Sequence, residues 1–173
     1  MFKILFLETA TNICKLGIIN GEKNIILAQA ANKIIDTLPL IIDQGLDKIG
    51  LTFNQIDYIV CGTGPGVYTN LLFSLSYING MSLANSIQVL STPSPNFYIE
   101  SNAKNNKWNW EAGGVKCTIH INKNDISLHN EYDDTCSTID HTVDFKINQL
   151  NALFIKLYQE QAIHTPIILN NTI

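Results

Sequence analysis

The sequence predicts an α/β protein whose first part is a mixed sheet laid down in the order βββαβαβ, followed by a smaller second lobe. Three observations carry this expectation. Apolar runs of strand length open the chain around an Asn20-Gly21 pair, the apolar period lengthens from two to about 3.6 at Lys33, and the composition turns polar between residues 93 and 112.

Taken in order, residues 2–7 form a continuous apolar run of buried-strand length, and Lys15 to Ile19 resume it after a polar bend at Thr9 to Asn12. Asn20-Gly21 then signals a hairpin, because a type I′ turn needs positive φ at both centres, and Ile25 to Ala28 return as the third strand. From Lys33, Ile34, Ile35, Leu38, Ile41, Ile42, Gly45, Leu46 and Ile49 fall on one helical stripe that Gly50 closes. Pro39 lacks an N–H, so the spacing predicts a helix beginning near Asp36 to Leu38 with Pro39 in its first turn. Ile56 to Cys61 reads as a buried strand, Gly62-Thr63-Gly64-Pro65-Gly66 as a turn, Val67 to Asn85 as a second helix and Gln88 to Ser91 as a short strand.

The pattern breaks at Thr92-Pro93-Ser94-Pro95. Residues 1–92 are the predicted main lobe, 93–112 an Asn/Lys-rich connection, and 113–173 a small lobe whose last helix and strand return toward the first. In that lobe Gly114 to Ile121 and Asp125 to His129 alternate as strands around Asn122-Lys123-Asn124, and Asp144 to Gln161 carries apolar residues at helical spacing. Pro166-Ile167-Ile168-Leu169 reads as a closing strand.

Composition excludes several functions. With 173 residues, 46% hydrophobic and 15% charged, the chain suits one compact unit or two small lobes, and neither a disordered tail nor a large multidomain enzyme. Its eleven Lys, absence of Arg and net charge of -4 give no cationic field for autonomous binding of a nucleic-acid backbone, so any RNA role must be shared. Cys14, Cys61, Cys117 and Cys136 are widely spaced and expected to be reduced. The opening apolar run is too short for a signal segment and no apolar stretch is long enough to span a bilayer, which predicts a cytoplasmic protein.

Candidate chemistry is sparse. Gly62 to Thr69 lies between strand and helix, where glycines and a helix N-terminus can hold an anion, but it has no G-K-[ST] lysine and no acidic ribose partner. Tight packing explains the glycines as well. Glu8-Thr9-Ala10-Thr11-Asn12 offers a carboxylate and hydroxyls where actin-like ATPases and sugar kinases hold a phosphate, yet it has no glycine, and a solvated hairpin tip is expected. His120, His129, His141 and His164 are scattered, although His120 and His129 can approach across a hairpin; no metal site and no catalytic residue is predicted. Trp108 and Trp110 share a face beside Lys104 and Lys107, where packing on the small lobe or a protein contact outweighs stacking on a base. The most informative feature is the second helix. Leu71, Leu72, Phe73, Leu75, Tyr77, Ile78, Met81 and Leu83 go most of the way round it, and Leu40 lies outside the stripe of the first helix. A helix apolar all round must be covered on all sides, which implies a partner surface or a second copy of the chain.

The strand and helix order, Ile4-Leu5-Phe6-Leu7-Glu8-Thr9-Ala10-Thr11, Leu38-Pro39-Leu40-Ile41, and above all Gly62-Thr63-Gly64-Pro65-Gly66-Val67-Tyr68-Thr69-Asn70-Leu71 resemble the TsaB (YeaZ) family, whose members read I-D-T-S near the start and G-x-G-P-G-S-F-T-G-L-R before the second helix. The likeness covers residues 1 to about 92, and the closing Pro166-Ile167-Ile168-Leu169 is similar to that family's final P-V-Y-L. It implies an actin-like (sugar kinase/Hsp70 superfamily, ribonuclease H-like) fold in a subunit that is not itself the catalyst. The implied partners are a TsaD-like subunit, which forms N6-threonylcarbamoyladenosine at position 37 of tRNAs reading ANN codons, and a TsaE-like ATPase. A homodimer is implied when the chain is alone, tRNA is met only through the complex, and no cofactor or membrane is involved. The resemblance implies that Leu38, Ile41, Ile42, Leu71, Leu72, Leu75, Tyr77 and Ile78 contribute to the helix pair, some turned to the sheet and some to the partner. The accompanying bend and turn comprise Glu8, Thr9, Gly64, Pro65, Gly66 and Thr69. Where the family has Asp, Ser, Gly and Arg, this chain has Glu8, Ala10, Asn70 and Leu72, which leaves recognition more dependent on apolar complementarity. The rival readings are a small actin-fold phosphotransferase, for which no adenosine motif is found, a peptidase, for which H-x-x-x-H is missing, and a homodimeric domain that has drifted from tRNA modification.

Overall fold

A computed structural model describes residues 1–21, 23–99, 107–122, 125–129, 131–142 and 145–160. Its centre is a five-stranded sheet of β1 (Lys3–Glu8), β2 (Ile13–Asn20), β3 (Lys23–Ala30), β4 (Tyr58–Gly62) and β5 (Gln88–Thr92), in the order β3-β2-β1-β4-β5. The first three strands pair antiparallel, whereas β4 joins β1 and β5 joins β4 in parallel, because each of these connections crosses over through a helix. The α/β class and the βββαβαβ order expected from the sequence are those found.

Two helices cover one face of the sheet and one covers the other. Helix α1 (Ile34–Ile49) and helix α2 (Tyr68–Asn85) share a core with Leu5, Leu7, Leu16, Ile18 and Ile59. On the opposite face Ile4, Phe6, Val60 and Leu90 pack with Phe97 and with Leu150, Leu153, Phe154 and Leu157 of α3 (Ile147–Gln159). Gly17 of β2 permits the close approach of α3, since a Cβ there would stand 2.6 Å from Leu150 Cδ1.

A second sheet, ordered β6-β7-β8, is built from β6 (Lys107–Ala112), β7 (Val115–Asn122) and β8 (Asp125–His129). Trp110, Ala112, Cys117, Ile119 and Ile139 form its core, which also takes in Ala10 and Leu71 of the larger lobe.

Several local expectations need correction. Asn20 still pairs with Lys23, so the hairpin turns after Asn20, with Gly21 at φ 63, rather than through Asn20 itself. Helix α1 begins at Ile34, before Pro39, because the apolar stripe starts at Ile34 and the sheet holds it there; the carbonyl of Ile35 that Pro39 cannot serve lies on the exposed side. Lys107 to Ala112, expected inside the connection, is the first strand of the small sheet, its Asn and Lys content notwithstanding. The strand expected at Pro166–Leu169, together with His164, Lys104 and Lys123, lies outside the described residues.

Candidate functional site

The bend between β1 and β2 is interior, not a solvated hairpin tip as its polar composition suggested: Glu8, Thr9, Ala10 and Thr11 are all buried. Its polar groups are satisfied internally, which is what makes burial tolerable. Ala10 N–H donates to Glu8 Oε1 at 2.6 Å and Tyr98 O–H donates to Glu8 Oε2 at 2.8 Å. Lys15, opposite Glu8 in the strand register, is fully buried as well. Its Nζ donates to the carbonyl of His141 at 2.8 Å and stands 4.9 Å from the Tyr98 ring centroid. Burial pushes the Glu8 carboxyl above the usual carboxylate range, against the opposing pull of Ala10 N–H, Tyr98, Ser94 and the Lys15 charge. Sequence reasoning missed Lys15, Ser94 and Tyr98; only the opposition of Glu8 and Lys15 across a two-strand register could have pointed to the first.

The glycine-proline turn is closed in the same way. Thr63 N–H donates to the Thr92 carbonyl at 2.9 Å, Gly64 N–H to Ser94 Oγ at 3.0 Å and Val67 N–H to the Ala10 carbonyl at 2.7 Å. These donors face protein acceptors, so the turn is not laid out as an open anion cradle. The Gly64–Pro65 peptide is cis, Pro65 is half-buried, and Gly66 sits against Ala10 with no room for a side chain. Thr69, one residue into α2, is exposed.

The eight residues expected on the helix pair divide cleanly. Leu38, Ile41, Ile42, Leu71, Leu75 and Ile78 are buried toward the protein's own interior. Leu72 is exposed and Tyr77 is half-buried, its ring stacked on that of Phe73 with centroids 6.1 Å apart. α1 and α2 pack side by side, and burial together with the nearby Asp43 of α1 pushes the Tyr77 hydroxyl upward.

Helix α2 is unusual in what it turns inward. Its buried side carries Asn70, Ser74 and Ser82, each satisfied: Asn70 Nδ2 donates to the Thr11 carbonyl at 3.1 Å, and the two serine hydroxyls donate to the carbonyls of Asn70 and Ile87, each at 2.6 Å. Its outer side carries Tyr68, Leu72 and Leu83 at 53%, 44% and 75% exposure. Ile35 and Leu40 of α1 are exposed on the same side of the sheet. The inner side thus takes in these three satisfied polar residues beside the buried Leu71, Leu75 and Ile78, while the outer side still presents large apolar ones, so the helix is largely apolar on both faces.

Among the described residues no group of three or more His, Cys, Asp and Glu is placed to hold a metal, and no helix is long and apolar enough to cross a membrane. His120 and His129 do meet, with ring centroids 4.0 Å apart, and no third ligand joins them among the described residues. Trp110 is fully buried in the small core, as the packing reading anticipated.

The family model described as TsaD: tRNA N6-adenosine threonylcarbamoyltransferase matches residues 24–144. The chain is similar to the tRNA N6-adenosine threonylcarbamoyltransferase of Clostridioides difficile, at 28% identity over 85 residues, which is 48% of this chain and 25% of that protein. It is similar also to the tRNA threonylcarbamoyladenosine biosynthesis protein TsaB of Haemophilus influenzae, at 28% identity over 88 residues, 50% of this chain and 37% of that protein. The chain thus matches a quarter of one relative's length and little more than a third of the other's. Among solved structures, YeaZ from Pseudomonas aeruginosa superposes with a TM-score of 0.71 at 13% identity, over 94% of this chain and 96% of that one. An uncharacterized protein with similarity to peptidase YEAZ from Pseudomonas aeruginosa gives 0.66 at 17% identity, over 98% and 100%. At such identities the likeness is one of fold, and it runs through both lobes. Since the family model covers well over half of the residues, this chain belongs to the TsaD family, described as tRNA N6-adenosine threonylcarbamoyltransferase, and it has the fold of YeaZ (TsaB).

Proposed function

We propose that this chain acts in the formation of N6-threonylcarbamoyladenosine in tRNA as a non-catalytic subunit, pairing through the outer face of α1 and α2 with a TsaD-like enzyme. The observation that carries the reading is helix α2, which has no charged residue, already buries Leu71, Leu75 and Ile78 in the chain's own core, and still presents Tyr68, Leu72 and Leu83 to the outside. Covering such a face removes apolar area from water at about 25 cal/mol per Å² before association costs are met. Relatives named for threonylcarbamoyladenosine synthesis supply the context, position 37 of tRNAs reading ANN codons is the proposed target, and tRNA is met through the complex. The closed glycine-proline turn and the internally bonded Glu8 favour support over catalysis. A TsaE-like ATPase is the proposed third member, and a homodimer through the same face is the proposed state of the chain alone.

Co-elution with the TsaD-like subunit tests this. Leu72→Asp and Leu83→Asp should abolish co-elution while leaving the circular dichroism spectrum unchanged. A folded Leu72→Asp/Leu83→Asp chain that still co-elutes at full stoichiometry overturns the pairing. Transfer of the threonylcarbamoyl group by this chain alone would overturn the non-catalytic role.

A further inference from the structure

The turn that starts α2 is clamped between two other segments. On one side the β1–β2 bend reaches it twice: the Ala10 carbonyl accepts from Val67 N–H at 2.7 Å, and the Thr11 carbonyl accepts from Asn70 Nδ2 at 3.1 Å. On the other side stands the small sheet. Trp110 of β6 donates its indole Nε1–H to the Pro65 carbonyl at 2.9 Å. The β6–β7 turn, Gly113-Gly114, has positive φ at both centres, as a two-residue hairpin requires, and Gly113 lies against the backbone of Gly66 and Val67. A Cβ on Gly113 would stand 2.6 Å from the Gly66 carbonyl carbon, so the contact excludes any side chain. Leu71, in the first turn of α2, is itself part of the small sheet's core.

Leu72 follows Leu71 directly, and the first intrahelical bond here runs from Leu71 N–H to the Val67 carbonyl at 3.1 Å. Whatever holds Gly66 and Val67 therefore sets the direction in which Tyr68 and Leu72 point. We propose that the small lobe is a positioning element for the pairing face, with Trp110 and Gly113 fixing the first turn of α2 in the orientation that docks. The inference rests on the pairing reading above, and it gives the small lobe a task there without contact with the partner. Trp110 is fully buried and acts through α2; Gly113 is exposed on its outer side, and its inner side lies against Gly66 and Val67.

The test uses the full-length chain and the TsaD-like subunit. Trp110→Phe keeps an aromatic side chain, smaller than the indole, and removes the donor to Pro65. It should speed hydrogen exchange at Leu71 N–H relative to amides of β1 and β4, and weaken partner affinity about tenfold. Gly113→Ala should do the same by displacing Val67; if it fails to fold, Trp110→Phe decides. A merely structural role would lower protection evenly and leave affinity intact in the folded fraction. Unchanged exchange at Leu71, or faster exchange with unchanged affinity, overturns the proposal. Leu72→Asp separates the two readings: its loss of binding with Trp110→Phe unaffected sinks only the positioning role, whereas unaffected binding in Leu72→Asp sinks the pairing itself.

Discussion

Glu8 and Lys15 are an acid and a base sealed at the head of one strand pair, with Tyr98, Ser94 and the His141 carbonyl around them. The sign of the pH effect follows from burial. Glu8 titrates above its ordinary 4.5 when folded, so between 4.5 and the folded value the native chain holds more protons than the unfolded one. Stability should fall as pH rises through that window, by at most about 1.4 kcal/mol for each pH unit crossed, the reverse of a surface carboxylate in an ion pair. Urea titrations at pH 5 and pH 8 check this: Glu8→Gln should flatten the difference, and an equal slope in both chains would refute the assignment. The thiols make a second prediction. Burial pushes Cys14 and Cys61 up to about 12, the Glu8 charge adding to the first, and Cys117 is buried too. Iodoacetamide at pH 8 should modify only Cys136 in the native chain and the other three after urea; rapid reaction of Cys14 would contradict the packing.

At the scale of the element, α2 decides between folding and docking. Leu75 and Ile78 touch the chain's own core, so Leu75→Asp should unfold it, at a cost above the roughly 2–5 kcal/mol of a buried Leu→Ala truncation. Leu72→Asp or Leu83→Asp should shift the urea midpoint little. Similar midpoints for Leu72→Asp and Leu75→Asp would mean that inside and outside are misassigned. Gly80 lies mid-helix with nothing within 4 Å of where a Cβ would stand. Gly80→Ala should therefore stabilise the monomer by about 0.5–1 kcal/mol, read as a rise in Tm. Loss of partner affinity in the same stabilised variant would locate the partner against Gly80. The apolar residues of this helix were all legible in the sequence, but their division was not. A 3.6 period separates faces only when one face is polar, and here both are largely apolar, with Asn70, Ser74 and Ser82 satisfied by backbone carbonyls rather than by water.

For the whole molecule, an α2 face without a charged residue predicts association driven mainly by area rather than by steering, with the exposed Asp36, Asp43, Asp47 and Lys48 of α1 at its side. Affinity for the partner should change less than about threefold between 50 mM and 500 mM NaCl, by calorimetry, with a negative heat-capacity change. A strong salt dependence would indicate that the exposed charges of α1, Asp36, Asp43, Asp47 and Lys48, carry the contact instead of the apolar face of α2. The strands of the five-stranded sheet, the two helices between them and the glycine-proline turn were written in the sequence, because apolar period and turn chemistry are local properties of the chain, whereas β6, rich in Asn and Lys, was not. The burial of the β1–β2 bend and the clamp of Trp110 and Gly113 on the start of α2 were not. Those depend on segments tens of residues apart meeting in space, and no spacing along the chain encodes which polar groups will find one another there.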